Sequence, residues 1–302
     1  MRILLLGKNG QIGWELQRTM ATLGEITAWD IEDLDLTDEK AIRTGVRKVQ
    51  PQLIVNAAAY TAVDKAEEEP ELAMAINGIA PGILAEEAKK IGAGIIHYST
   101  DYVFDGTKNS PYTEEDEPNP INVYGKTKLE GERNIQNSGA PYFIFRTSWV
   151  YGTRGKNFLL TILRLAKERE ELTIVDDQIG SPTWSRMISE ATAQVVAQGV
   201  KDINSFMKEK SGIYHLTAQG ATSWCSFAQT ILENIQEGMY LNEKDLKCKC
   251  ITPIQSCQYP TPARRPRYSV LDNAKMKKNF GVKTANWKSC LLLLDFDNGV
   301  FK

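Results

Sequence analysis

The chain has 302 residues, room for one large domain or two ordinary ones. Hydrophobic residues make up 42% and charged residues 25%, enough for a full core, and the net charge of -2 gives no reason to expect nucleic acid or a membrane surface as the main partner. No apolar run is long enough to span a bilayer.

Arg2–Leu6 is almost wholly apolar, as a strand buried on both faces should be, and is too short for a secretory signal. It runs into Gly7-Lys-Asn-Gly10-Gln-Ile-Gly13 and then a helical pattern through Trp14, Leu16 and Met20. Glycines at such a strand-to-helix turn let backbone approach a pyrophosphate, and the helix N-terminus attracts its charge. Gly7, Gly10, Gln11, Ile12 and Gly13 are therefore candidates for holding a dinucleotide, although the spacing is G-x-x-G-x-x-G and not the commoner G-x-G-x-x-G. A second strand, Glu25–Trp29, ends in Asp30, about where an acid meets the adenosine ribose hydroxyls. Asp30 favours NADH by repelling a 2′-phosphate, whereas Lys8 is able to pair with that phosphate, so the choice between NADH and NADPH stays open. Asp35 or Leu36 is placed to approach the adenine.

A helix is expected over Glu39–Val49, a buried strand over Gln52–Asn56, and a loop of small residues over Ala57–Thr61 at a strand carboxyl end, where ligands lie in open α/β sheets. One long helix is expected over Pro70–Ile91, with Asn77 able to face the site. In the strand Ile95–Asp101, His97 reads as a satisfied core or interface residue. Ser99 and Thr100, as strand neighbours, point to opposite faces and should not both face a ligand. Tyr102–Glu117 is a polar rim loop.

Tyr124 and Lys128, four residues apart, share one face of the next helix. A tyrosine phenol has a pKa of about 10, and a lysine cation close by favours tyrosinate and draws it toward working pH, where proton transfer is effective. Tyr142–Arg146 is another buried strand. Trp149 follows, equally suited to lining a sugar ring and to core packing. Here the strand–helix alternation loosens, which divides the chain into a dinucleotide-binding domain, 1–149, and a mainly substrate-binding part, 150–302, with parts of 172–216 returning to the first. Helices are expected over Asn157–Glu170, Ser185–Ala197 and Ser223–Glu237, strands over Leu172–Asp176 and Gly212–Leu216, and a packed helix over Leu291–Leu294 with an acidic tip at Asp295 and Asp297. In Pro260–Pro266, Arg264 and Arg265 carry the charge a diphosphate needs on a proline-stiffened loop; a basic surface turn is the alternative. The five cysteines are odd in number without framework spacing, so free thiols in a reducing cytoplasm are expected. Cys248-Lys-Cys250 lacks a second ligand pair.

Several stretches together carry a family likeness: the glycine turn, Asn56-Ala-Ala-Ala-Tyr-Thr-Ala-Val-Asp64, Ser99-Thr-Asp-Tyr-Val-Phe-Asp105, Asn122-Val-Tyr-Gly-Lys-Thr-Lys128, Arg146-Thr-Ser-Trp-Val-Tyr-Gly152 and Tyr259-Pro-Thr-Pro-Ala-Arg-Arg-Pro266. Over nearly its whole length the chain resembles the dTDP-4-dehydrorhamnose reductases of the extended short-chain dehydrogenase/reductases. The resemblance implies an α/β fold: a Rossmann-type doubly wound parallel sheet with a smaller, discontinuous α/β substrate-binding domain. It implies NADH or NADPH on Gly7, Gly10, Gln11 and Ile12, with Asp30, Asp35 and Leu36 at the adenosine end and Ala59, Tyr60 and Thr61 further along. Hydride would pass to the C4 ketone of dTDP-4-dehydro-L-rhamnose, in a route to surface polysaccharide. Tyr124 would donate the proton, Thr100 (chosen over Ser99 on the resemblance) would adjust its hydrogen bonding, and Lys128 would bind the cofactor ribose and lower the Tyr124 pKa. Asp101 and Trp149 would contact the sugar nucleotide. The resemblance further implies a magnesium-dependent homodimer, for which Glu15, Glu190 and Asp297 are candidate ligands; Asp297 reaches less far than a glutamate. The rival readings are another nucleotide-sugar epimerase or dehydratase and a non-catalytic NADP-binding regulatory subunit. A dehydratase should carry Asp-Glu after the strand-exit Thr, where this chain has Asp101-Tyr102.

Overall fold

Short apolar runs make the central sheet of the computed structural model, which describes residues 1–236 and 246–295. The strands are β1 (Arg2–Leu6), β2 (Glu25–Trp29), β3 (Leu53–Asn56), β4 (Gly94–Thr100) and β5 (Tyr142–Thr147), followed by β6 (Val150–Tyr151), β7 (Glu171–Val175), β8 (Ile179–Gly180), β9 (Thr183–Trp184), β10 (Gly212–His215), β11 (Thr222–Ser223) and β12 (Cys250–Ile254). Six of them form one parallel sheet in the order β10-β5-β4-β3-β1-β2. Every residue of β3 and β4 is buried, as expected of strands covered on both faces. The chain runs from β1 outward to β2 and then back across β1 to β3, and this reversal opens a crevice at the strand carboxyl ends.

Local chemistry sets the helix that matters most. Asn122 caps Val123–Ser138, accepting from Gly125 N–H at 2.7 Å, and Gly139 at φ +71° ends it. Behind the sheet, the helices Gln11–Thr19 and Ser185–Gln198 pack together, and Leu16, Ile188, Val195 and Tyr214 share one core with Leu5 and Val55. Part of the 172–216 segment thus lies against the sheet, and β10 extends it beside β5, with His215 opposite Arg146. Met276 and Phe280, from much later in the chain, enter the same core. A second core gathers Tyr151, Leu159, Ile162, Phe227, Ile231, Trp287 and Leu291 beside the parallel pair β7–β12.

The structure corrects several expectations. The helix over Pro70–Ile91 is continuous as expected but carries a π turn, Ala75–Ile79, between Pro70–Met74 and Ala80–Ile91. The cause is Asn77, which is fully buried and needs partners. Its Oδ1 accepts from Tyr60 N–H at 2.9 Å, and its Nδ2 donates to the Tyr60 carbonyl at 3.0 Å and toward Thr127 Oγ1 at 3.3 Å. One extra residue in the turn aims the side chain there. The last described helix spans Trp287–Leu292, earlier than expected, with Trp287 and Leu291 on its buried face. Asp297 lies outside the described residues. All five cysteines are free, and no described helix is long and apolar enough to cross a membrane.

Candidate active site

The glycine turn is shaped by backbone contact. Gly7 has φ +81°, and a Cβ there would stand 2.7 Å from Ala58 N; a Cβ on Gly13 would stand 1.9 Å from the Gly7 carbonyl oxygen. The turn and the loop Ala57–Ala59 therefore press together at the ends of β1 and β3 without side chains between them. Asp30 accepts from Asn9 N–H and Ile31 N–H, both at 2.9 Å, and borders a recess of about 240 Å³ with Trp29, Asp35, Leu36 and Ala59. Asp35 is turned to Thr37, whose N–H and hydroxyl both reach its Oδ1 at 2.8 Å. Lys8, expected as a phosphate partner, is paired with Asp33.

A second cavity of about 380 Å³ runs from Gly7, Gly10, Gln11 and Ile12 past Ala59 and Thr61 to Ser99, Tyr124 and Lys128, with Val150, Gly155 and Lys156 as its far wall. The glycine turn and the Tyr124–Lys128 face thus share one cleft. The Thr100 hydroxyl hydrogen-bonds the Tyr124 phenol; desolvation nonetheless pushes that phenol up to about 12. Lys128 is 1% exposed, with Nζ donating to the Tyr98 carbonyl at 2.6 Å and lying 3.0 Å from His97 Nε2. Burial lowers Lys128 to about 7, with Glu132 opposing. The expected lowering of the phenol by Lys128 is therefore reversed, because Nζ is turned into β4 and burial of the phenol dominates. Ser99 and Thr100 both belong to the site despite strand alternation. The strand stops at Thr100 and turns into the 3-10 segment Asp101–Val103, so Ser99 lines the cleft while Thr100 reaches Tyr124.

Asp101 is 2% exposed and packed behind Thr100, which donates to its Oδ1 at 3.1 Å, while Oδ2 is buried without a partner. Its carboxyl faces the interior, not the cleft where a sugar nucleotide was expected to touch it. Desolvation raises it to about 7, tempered by the Ser269 and Thr100 hydroxyls. Tyr60 presents its backbone to Asn77 and its hydroxyl to Glu69 at 2.7 Å.

On the other side, Trp149 is held at φ +45°, in the left-handed region that a bulky residue rarely adopts. Its ring stacks on Trp224 with centroids 3.5 Å apart and planes 5° from parallel, and a Cβ on Gly180 would come within 2.4 Å of it. Trp224 borders a cavity of about 430 Å³ with Phe158, Tyr259, Thr261 and Arg265. Arg265 is clamped to Asp64 by two bonds of 3.0 and 2.7 Å. Arg264 is exposed and contributes its carbonyl, held by Asn122 Nδ2 at 2.8 Å. Of the two arginines, only Arg265 borders the cavity, since the backbone alternates their directions. Glu15 and Glu190 converge on Arg186, at 3.1 and 2.8 Å, so a guanidinium already satisfies both. No group of three or more His, Cys, Asp or Glu side chains able to hold a metal occurs among the described residues.

Sequence reasoning missed Lys156 as a neighbour of the cleft and Trp224 as a border of the second cavity, whereas His97 is a buried, partnered core residue as expected. The one available signal was Gly155-Lys156 soon after a strand exit, the arrangement that brings a cation close to a phosphate. The 153–156 loop is pinned by the Arg154 guanidinium, 3.4 Å from the Trp14 ring centroid, and by Asn157 Nδ2, which donates to Gln11 Oε1 at 2.9 Å.

A parallel sheet with a glycine turn at its switch point, opening on the same cleft as a Tyr-x-x-x-Lys helix face, defines the extended short-chain dehydrogenase/reductases. Residues 1–294 match the family described as RmlD substrate binding domain. The chain is 46% identical over 288 residues to the dTDP-4-dehydrorhamnose reductase of Burkholderia thailandensis, covering 95% of this chain and 96% of that one. It is 43% identical to the Escherichia coli K12 enzyme of the same name, covering 95% of each. The chain belongs to the dTDP-4-dehydrorhamnose reductase family. Among solved structures it resembles the Clostridium acetobutylicum member with TM-score 0.85 and 40% identity over 97% of each chain. It resembles the Bacillus anthracis member, solved in complex with NADP, with TM-score 0.84 and 34% identity over 96% of each chain.

Proposed function

We propose that the chain reduces the C4 ketone of dTDP-4-dehydro-L-rhamnose to dTDP-L-rhamnose, for surface polysaccharide, with NADPH or NADH. The observation that carries this reading is a single cleft that joins the glycine turn to the Tyr124 phenol and its Thr100 partner. The cleft fits a dinucleotide: Gly7, Gly10, Gln11 and Ile12 border it at the start of the Gln11–Thr19 helix, and the glycines bring bare backbone to the place a diphosphate would take. Bound there, the cofactor supplies the hydride. Tyr124 holds its proton at neutral pH, the form a reduction needs at its start, and releases it to the substrate oxygen as alkoxide character develops. Thr100 orients the phenol. Lys128 presents its remaining N–H to the ribose side of the cleft, and Asp30 serves the adenosine end with Asp35 and Leu36. The ring pair Trp149–Trp224 and Arg265 receive the sugar nucleotide, and Asp101 acts through Thr100.

In the same reading, residues 1–149 with the returning part of 172–216 form the dinucleotide domain, and most of 150–302 forms the substrate domain. The protein works in the cytoplasm as a homodimer. No step is assigned to magnesium: of its candidate ligands, Glu15 and Glu190 are both paired with Arg186.

The test follows oxidation of NADPH and NADH with dTDP-4-dehydro-L-rhamnose, wild type beside Tyr124→Phe. Wild-type turnover to dTDP-rhamnose is expected, with a loss of about 10²–10⁴-fold in the variant at retained cofactor affinity. A wild type that binds cofactor and never oxidises it ends the proposal and favours the regulatory reading.

A further inference from the structure

NADH and NADPH differ in one group, the phosphate on the 2′-oxygen of the adenosine ribose, so the choice between them is made where that oxygen lies. An acid at the end of the second strand is the usual partner of the ribose hydroxyls. Here it is Asp30, which borders both the recess and the cleft and accepts from Asn9 N–H and Ile31 N–H. Residues 30–37 hold four acids, at 30, 32, 33 and 35, and no lysine or arginine. The cation beside Asp30 comes instead from the glycine turn, as Lys8.

Both partners of that cation are fixed in place. Asp33 is built into the turn after β2: its N–H donates to the Asp30 carbonyl at 2.9 Å, and its Oδ2 accepts from Asp30 N–H at 3.0 Å. The same Oδ2 pairs with Lys8 Nζ. The Lys8 backbone is held as well, its N–H donating to the Trp29 carbonyl at 3.2 Å and its carbonyl accepting from Gln17 Nε2 at 2.8 Å. Only the Lys8 side chain is left to move. The paired side chains are 29% and 35% exposed, so water screens them less than an open surface pair. Their bond holds Lys8 above the ordinary lysine value and Asp33 below the usual carboxylate range, which keeps both charged at neutral pH.

We propose that Asp33 is a specificity-determining residue, which by holding Lys8 disfavours the 2′-phosphate of NADPH relative to the 2′-hydroxyl of NADH. The inference rests on the reading of the cleft as a dinucleotide site; it does not depend on which ketone is reduced. A 2′-hydroxyl needs only the Asp30 carboxylate as its acceptor, and the Lys8–Asp33 pair stays closed. A 2′-phosphate brings strong negative charge next to Asp30 and Asp33. It gains a cation only when Lys8 leaves Asp33, and Asp33 then stands unpaired beside it. Glu32, exposed in the same turn, adds to the repulsion. Lys8 therefore serves NADPH only after a carboxylate has released it, and without Asp33 the same lysine would meet the phosphate directly.

Calorimetric titration of the whole protein with NADH and with NADPH, in the absence of any ketone, reads the two dissociation constants without turnover. It is run on wild type, Asp33→Asn, Lys8→Met and the double variant. Asparagine keeps an oxygen to accept from Asp30 N–H, so the turn is retained; Asp33→Ser is the second substitution at the position, with the same direction expected. Asp33→Asn should raise the affinity for NADPH relative to NADH by about five- to tenfold, with the gain shrinking in high salt. Lys8→Met should lower that ratio, and in the Lys8→Met background Asp33→Asn should give little of its gain, because the cation it releases is gone. A ratio that neither substitution at Asp33 moves overturns the proposal. A gain that survives in full without Lys8 also overturns it, since removal of one negative charge would then account for the effect. A wild type that binds both dinucleotides and reduces no ketone defeats the reductase reading alone, and the ratios still decide this one.

Discussion

The two walls of the candidate site, one lining the cleft and one the cavity beside Trp224, are built by different means. On the sheet side the surface is backbone: Gly7 at φ +81°, Gly13 against the Gly7 carbonyl, and the alanines that follow β3. Around the neighbouring cavity the strands β6, β8, β9 and β11 are two residues each, and the surface is made of rings, Trp224 stacked on Trp149 with Phe158 tilted beside it. A backbone wall has nothing to rotate, which suits a ligand portion that never varies. A ring wall adjusts by χ rotation, which suits a sugar that must enter, react and leave. Tolerance to change should therefore differ sharply between walls of equal packing.

Adding one methyl group to each wall tests that difference most strongly. Gly13→Ala forces a Cβ to 1.9 Å from a carbonyl oxygen that cannot move alone. Denaturant unfolding should show a loss of about 3 kcal/mol or more, and dinucleotide binding should vanish. Gly180→Ala meets the Trp149 ring instead, which can swing aside at the expense of its stack on Trp224. A loss of about 1–2 kcal/mol is expected, with KM for the sugar nucleotide raised and dinucleotide affinity kept. Equal damage from the two substitutions would erase the distinction between the walls.

The next effect depends on pH. Burial raises the folded pKa of Asp101 to about 7 from its ordinary value of 3.8, so between these values the folded state binds more protons than the unfolded chain. Its burial therefore costs nothing below the lower value, costs progressively more as pH rises, and levels off above the upper one. Asp101→Asn should gain stability relative to wild type on going from pH 5 to pH 8, on the order of 2 kcal/mol, read from paired melting curves. A difference that stays flat with pH would show that the carboxylate is already solvated or paired. The smallest effect should come from Lys156→Ala in the pinned loop. Loss of one exposed cation near the diphosphate should raise KM for NADPH and NADH alike by about fivefold or less, with kcat retained and the penalty fading in high salt.

The backbone wall was the readable one. Arg2–Leu6 is apolar without alternation, and the glycines after it admit few other uses, so strand, turn and cleft follow from adjacent residues. The far wall depends on partners remote in sequence. Trp149 meets Trp224 across 75 residues, and β7 pairs with β12 only after three described helices and four strands have intervened. No period in Cys250–Ile254, which contains Pro253, announces a strand; it forms because β7 offers an edge. The reading of Tyr124 and Lys128 failed at a similar point. Spacing placed both on one helical face, but the amine is claimed by β4, and burial outweighs a charge effect that spacing alone suggested. The direction of Arg264 and Arg265 was likewise invisible, because Asp64 decides it from 201 positions away.

The π turn at Ala75–Ile79 has a meaning for anyone lining this chain up against others. It is an insertion of one residue hidden inside a helix, without a loop to mark it. A homologue written with one residue fewer between Pro70 and Ile91 would still look helical, and alignment programs would place the gap wherever substitution scores fell best. The side chain lost from the interior would be the Asn77 amide, and with it the staple between the Tyr60 backbone and Thr127 on the helix of Tyr124 and Lys128. Where that gap is drawn therefore decides whether two sequences share a rigid cleft floor or only its outline.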